Sequence, residues 1–170
     1  FIIGLYTMLI KIKKKSLIFS KNYKFKCSVG KKGFTKNKNE GDFKTPVGTF
    51  SLGKLYYRLD RIKNIDTKLI KKKIKKKIGL CNDPNHKKYN QEIKTNKLIR
   101  HEKLYRKDYK YDAPIVIKYN INPTVANKGS AIFIHLTKNY KATAGCIGLK
   151  LKDFLTLSKI INKKTKIKIE

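Results

Sequence analysis

Two stretches near the start of the chain alternate apolar and polar residues with a period of two. In MLIKIKKKSLIFS, lysines separate Ile10 and Ile12; in YKFKCSVG, Tyr23, Phe25, Cys27 and Val29 alternate with Lys24, Lys26 and Ser28. That period sends successive side chains to opposite faces, so both stretches predict half-buried antiparallel strands with lysine stems toward water. Gly30, Gly33 and the polar run to Asp42 predict a loop. After it, Pro46 restrains the backbone, and Val47, Thr49, Phe50 and Leu52 predict a further strand. PIVIKYN and SAIFIH are compact runs of β-branched and aromatic residues, the pattern of buried strands. Beyond Gly148 the period changes: Leu151, Phe154, Leu155 and Ile161 fit a helix, with Asp153 near its start, where the helix dipole favours a carboxylate. TKIKI closes the chain as an alternating strand.

Two regions are ambiguous. Ile70, Ile74 and Ile78 stand four apart in a lysine-rich run. They fit either a basic amphipathic helix suited to a membrane surface or an irregular basic loop anchored at three points, the loop being the preferred reading. RHEKLYRKDYKYDAP is expected to hold a helical turn or two, and CNDPNHKKYN is turn chemistry around Asn-Asp-Pro. With no internal repeat and no flexible linker, the expected organisation is one domain over residues 8–170, with 1–7 a non-native or truncated extension. The whole reads as mainly β, a β-rich α+β domain.

Composition sharpens this picture. The chain has 170 residues, enough for one real core. Its apolar share of 40%, with ten Tyr and eight Phe, is that of a folded protein despite a net charge of +32. Only four of the 43 basic residues are arginine. Nucleic-acid readers favour arginine forks, and here lysine is scattered through every segment alongside Ile and Asn. That argues for compositional bias on a solvated face, although such charge attracts polyanions whatever its origin. Three cysteines, Cys27, Cys81 and Cys146, imply no disulfide framework. Cys81 and His86 lack the companion ligands of a zinc site, so no metal or cofactor is expected. The apolar runs fall short of the roughly 20 residues of a membrane span, and the apolar N-terminus lacks the flanks of a signal peptide.

Candidate chemistry concentrates in AIFIHLTKNYKATAGCIGL. His135 ends a predicted strand and Cys146 follows a polar loop. The other histidines, His86 and His101, are distant in sequence. A cysteine is nucleophilic only as thiolate and needs a neighbouring base or positive field. Gly145 carries no side chain, so its N–H and that of Cys146 can approach a substrate carbonyl; such donors stabilise an oxyanion by about 3 to 4 kcal/mol each. Free cysteines are also often simply buried, so spacing alone leaves core packing and catalysis both open.

This stretch resembles the active-site motif of the L,D-transpeptidase catalytic domain family (YkuD-like), a His, a spacer, then Ser/Thr-His-Gly-Cys; the matches are His135, Thr143, Gly145 and Cys146. TPVGTF (45–50) resembles another hallmark of that family. KNEGD (38–42), YRLDR (57–61), CNDP (81–84), EKLYR (102–106), the Tyr89-Asn90 and Tyr119-Asn120 pairs, Tyr111-Asp112 and GSAIFIH (129–135) resemble one branch of it. Two departures stand out. Ala144 replaces the family's second histidine, and Gly148 stands where asparagine is frequent. The branch itself reads Thr-x-Gly-Cys, so these changes mark a subtype.

The resemblance implies a β-sandwich or barrel-like sheet with a few short helices. It also implies a peptidoglycan L,D-transpeptidase: Cys146 as nucleophile, His135 as general base and acid, Gly145 as oxyanion donor, and the Leu136 backbone carbonyl orienting His135. Thr143, Arg106, Tyr89 and Asn90 are candidate contacts for the stem peptide. The expected partner is peptidoglycan, with no specific nucleic acid and no integral membrane segment. The expected state is a monomer in the periplasm or cell wall of a bacterium, although no export signal is visible. The alternatives are an L,D-carboxypeptidase using water, and a non-catalytic basic module that binds nucleic acid or wall polymer. His101 and Glu102 are adjacent in sequence and point apart in regular structure, which argues against a dyad.

Overall fold

The computed structural model describes residues 8–20 and 22–170; residues 1–7, read above as an extension, lie outside the described residues. In chain order the strands are β1 (Leu9–Lys13), β2 (Ser16–Ser20), β3 (Tyr23–Lys26), β4 (Phe34–Thr35), β5 (Thr45–Pro46), β6 (Gly48–Tyr57), β7 (Lys71–Lys73), β8 (Ile78–Cys81), β9 (Glu92–Lys94), β10 (His101–Lys103), β11 (Ile115–Ile117), β12 (Ile132–Leu136) and β13 (Ile147–Leu149). The helix α1 (Leu151–Ile160) and β14 (Lys166–Ile169) complete the chain. The architecture is mainly β, and the described residues contain one helix rather than a few.

The main sheet runs β13-β12-β11-β6-β14-β1-β2-β3, with β7 beside β6. Its two ends meet. Ser28, just past β3, bridges Gly148 of β13, and Gly30 bridges Thr143. The sheet is thereby nearly closed into a barrel, which removes exposed edges. Closure needs glycine at 148: a Cβ there would fall 2.2 Å from Ser28 Oγ. The small sheet β10-β8-β9 packs outside.

Alternation places the core. Ile10 and Ile12 are fully buried while Lys11 and Lys13 are exposed, and Ile167 and Ile169 repeat this on β14. The central strands β11 and β12 are buried on both faces, as continuous apolar runs require. On β12, Ile132, Ile134 and Leu136 enter the main core, which Phe154, Leu157 and Ile161 from the helical segment cover. The opposite face belongs to a smaller cluster around Tyr56, Leu104, Tyr111, Val116 and Phe133, against which Cys146 packs.

The lysine-rich run, read preferably as an irregular loop, and the stretch from Arg100, expected to hold a helical turn or two, both supply strands instead. Lys71–Lys73 pair in parallel with Leu55–Tyr57, held by Leu55 N–H to Ile70 O at 2.9 Å and Ile74 N–H to Tyr57 O at 2.8 Å. Ile74 is buried and Ile70 is 66% exposed, so the four-residue spacing marks no common face. His101–Lys103 pair antiparallel with Gly79–Cys81. In both places an available sheet edge satisfies the backbone better than an isolated helical turn, whose nucleation is unfavourable. Among the described residues no helix is long and apolar enough to cross a membrane, and no metal-holding cluster of His, Cys, Asp and Glu occurs.

Candidate active site

β12 and β13 pair in parallel, with Ile134 beside Ile147 and His135 beside Gly148. Cys146 therefore stands level with Phe133, whose N–H donates to Cys146 Sγ at 3.4 Å. Since side chains alternate, Phe133, His135 and Cys146 share one face, opposite the main core. His135 and Cys146 both line a single cavity of about 1490 Å³.

His135 is 7% exposed, and its Nδ1 lies 2.9 Å from the Leu136 carbonyl oxygen. A carbonyl only accepts, which assigns the proton to Nδ1 and leaves Nε2 as the basic nitrogen. Burial holds the imidazole below its ordinary pKa, assisted by Lys110 and Arg106 and opposed by the Leu136 carbonyl and Asp108. The ring is therefore neutral near pH 7 and able to take a proton.

Burial pushes the Cys146 thiol up to about 12, and the charge of Glu102 adds to this. The Phe133 N–H, Lys38 and the Tyr111 hydroxyl oppose the shift. The resting side chain is thus a neutral thiol, in need of a base at the moment of attack.

Side chains hold the loop before Cys146. Thr143 Oγ1 donates to Cys146 O at 2.6 Å and accepts the Gly145 N–H at 3.0 Å. That N–H, expected as an oxyanion donor, must leave Thr143 to meet a substrate. Gly145 has a φ of +145°, and a Cβ on it would sit 2.8 Å from Lys44 O. Thr45 Oγ1 donates to Gly145 O at 2.9 Å and accepts the Gly30 N–H at 2.8 Å. Lys38 is 5% exposed; its Nζ donates to Asp42 at 2.6 Å and to Lys44 O at 2.9 Å on the same cavity wall.

The other sequence candidates divide. Arg106 reaches the cavity, but its guanidinium forks onto Asp108 at 3.0 and 2.6 Å and lies 5.1 Å above the Tyr111 ring. Tyr89 and Asn90 lie off the cavity wall. Tyr89 donates to Glu40 at 2.5 Å, and Asn90 Nδ2 donates to the carbonyls of Asn120 and Gly129 at 3.0 and 3.1 Å, which braces surrounding loops. Sequence reasoning missed Tyr111 as a cavity residue. Its hydroxyl donates to Glu102 at 2.6 Å, and its ring lies 5.7 Å from that of His135. The Tyr111-Asp112 and EKLYR tags were visible, but a contact between strand β10 and a loop leaves no local pattern.

This geometry allows a base-assisted thiol attack beside backbone donors, in a cleft whose lining includes more Lys and Arg than Asp and Glu. A family model described as the L,D-transpeptidase catalytic domain (YkuD) matches residues 6–169. Among solved structures, an L,D-transpeptidase from Mycobacterium tuberculosis H37Rv is 9% identical, with a TM-score of 0.44 over 96% of this chain and 57% of that one. The helical cell shape determining protein Pgp2 from Campylobacter jejuni is 19% identical, with a TM-score of 0.47 over 96% of this chain and 46% of that one. The chain thus spans about half the length of the solved structures it matches. No curated protein matches it.

Proposed function

This chain belongs to the L,D-transpeptidase catalytic domain family, and on that premise we propose that it is a peptidoglycan L,D-transpeptidase working through Cys146. The observation that carries the reading is the β12–β13 register, which turns His135 and Cys146 onto one face and into one cavity.

His135 Nε2 takes the proton of the Cys146 thiol as the sulfur attacks the carbonyl of the third residue of a stem tetrapeptide. The Leu136 carbonyl keeps the imidazole in the tautomer that can do this. The oxyanion meets the N–H of Cys146 and that of Gly145, released from Thr143. The tetrahedral species collapses to a thioester, and His135 returns the proton to the departing D-alanine amine. An amine from a neighbouring stem then attacks the thioester and restores the thiol, giving the cross-link. The cationic wall of the cleft, Lys110 and Lys141 included, suits the carboxylates of stem peptides. Such a substrate places the working enzyme in the periplasm or cell wall, as one catalytic domain over residues 8–170.

The test is incubation with a disaccharide-tetrapeptide, read by mass spectrometry. Loss of D-alanine with formation of a dimer, both absent in Cys146→Ala, is the expected result. D-alanine loss without dimer would make water the acceptor and the enzyme an L,D-carboxypeptidase. Turnover retained in Cys146→Ala would overturn the site.

A further inference from the structure

Among the described residues, seven that are not glycine have a positive φ. Four are asparagines, which tolerate the left-handed region, and Lys14 turns the hairpin between β1 and β2. The two bulky exceptions are Tyr140 and Phe43, the latter with a φ of +58°. Phe43 is held there on both flanks. Its carbonyl accepts the Lys32 N–H at 3.0 Å, and glycine at 30 lets the two segments close, since a Cβ there would fall 2.6 Å from that carbonyl oxygen. Asp42 accepts the Lys44 N–H at 2.9 Å, and Lys38 donates to the Lys44 carbonyl at 2.9 Å. A bulky residue persists in this conformation only where its surroundings over-determine it, and such residues gather at functional sites.

The strained backbone gains no core packing from its ring. Phe43 is 44% exposed and joins neither apolar cluster. Lys32 Nζ stands 5.9 Å from the ring centroid. Among the described residues, Phe43 is the only exposed large apolar side chain on the wall of the cavity that holds His135 and Cys146. It is also close to the chemistry. Lys44 O, one residue on, lies against Gly145, where a Cβ would fall 2.8 Å from it.

We propose that the Phe43 ring is a platform for the donor stem, on which the hydrocarbon chain of the third residue lies while that residue's carbonyl faces Cys146. The proposal rests on the site described above. The attacked carbonyl belongs to the third residue, so that residue's side chain is the part of the peptide nearest the wall beside Gly145. A ring already fixed by its backbone loses little freedom when a ligand covers it. An apolar chain laid on it leaves water and covers exposed aromatic surface. About tenfold in affinity corresponds to roughly two buried methylenes.

The test measures binding by calorimetry in Cys146→Ala, which removes turnover. Two stem tetrapeptides are compared, one with norleucine at the third position and one with alanine there. Norleucine supplies hydrocarbon without charge. The expected result is about tenfold tighter binding of the norleucine peptide, a preference lost when Phe43→Asn is added. Asparagine adopts the left-handed backbone and deletes the ring, so its melting temperature should match or exceed that of the parent. Phe43→Trp gives a second reading. The chain has no other tryptophan, so the indole emission should move to shorter wavelength as the norleucine peptide saturates. Should Phe43→Asn unfold, the indole alone decides. A preference that survives Phe43→Asn, an indole unmoved at saturation, or no binding of either peptide overturns the platform. A shift that requires the disaccharide assigns the ring to sugar and overturns it too. D-alanine release by the wild type with an unmoved indole would leave the reaction standing without the platform. A moved indole without D-alanine release would leave the platform and sink the reaction.

Discussion

Thr45 and Gly145 are joined across one hundred residues of sequence: the threonine hydroxyl, fully buried, donates to the glycine carbonyl at 2.9 Å. The same oxygen accepts the Gly30 N–H. A residue of the short strand β5, which pairs with β4, thereby anchors the loop that presents Cys146. Thr45→Val keeps the shape and strands both backbone groups. It should destabilise the fold by about 2 kcal/mol and lower turnover, with Thr45→Ser recovering both. Urea unfolding beside the tetrapeptide assay measures the two effects.

Gly145→Ala should leave the secondary structure intact by circular dichroism and lower turnover by about 10²-fold, because displacing a nucleophile by an ångström is enough to do so. The cause is a Cβ 2.8 Å from Lys44 O at a φ of +145°. An alanine enzyme as active as wild type would mean the loop is free to reshape.

His135→Ala should reduce kcat/KM by about 10²- to 10⁴-fold, the usual contribution of a positioned acid–base group. Because burial depresses the imidazole, its protonation governs an acid limb of kcat/KM lying below pH 6.5, the ordinary histidine value. A limb at or above that value would contradict the burial of the ring.

Asp42 offers a stability test. Burial pushes its carboxyl up, but hydrogen bonds from Lys38 and from the N–H groups of Asn39 and Lys44 outweigh this and hold it below 3.8. A carboxyl depressed in the folded state stabilises fully above its unfolded pKa and less as the pH falls through its folded one. The stability gap between wild type and Asp42→Asn should therefore be complete above pH 3.8 and shrink below it. Chemical denaturation at stepped pH reads the gap.

Phe154→Ala removes a fully buried ring from the main core, far from the cavity face. A loss of about 3 to 5 kcal/mol is expected, with activity per folded molecule nearly unchanged. Thermal unfolding and active-site titration separate the two quantities.

The legible parts of the chain share a physical trait. Ile10, Ile12, Ile167 and Ile169 announce their strands because each has one wet face and one dry one, and α1 announces itself through Phe154 and its neighbours. The lysine run at 71–77 was not legible in this way. Its isoleucines repeat at a helical interval, yet the chain lies along β6 because an unpaired sheet edge was waiting there. Tyr89 and Asn90 looked like ligand contacts; they face inward on loops, where Glu40, Asn120 and Gly129 need partners.

By itself the sequence determined the mainly β character and the place of the helix, and it singled out Cys146 and His135 as the candidate pair. All of these are written in side-chain period and in one short motif. Only the tertiary structure decided that the imidazole and the thiol share a face, that Thr143 occupies the Gly145 N–H, and that the Tyr111 hydroxyl meets Glu102 on the cavity wall. Those relations depend on strand register and on contacts between residues distant in the chain, and periodicity carries no record of either.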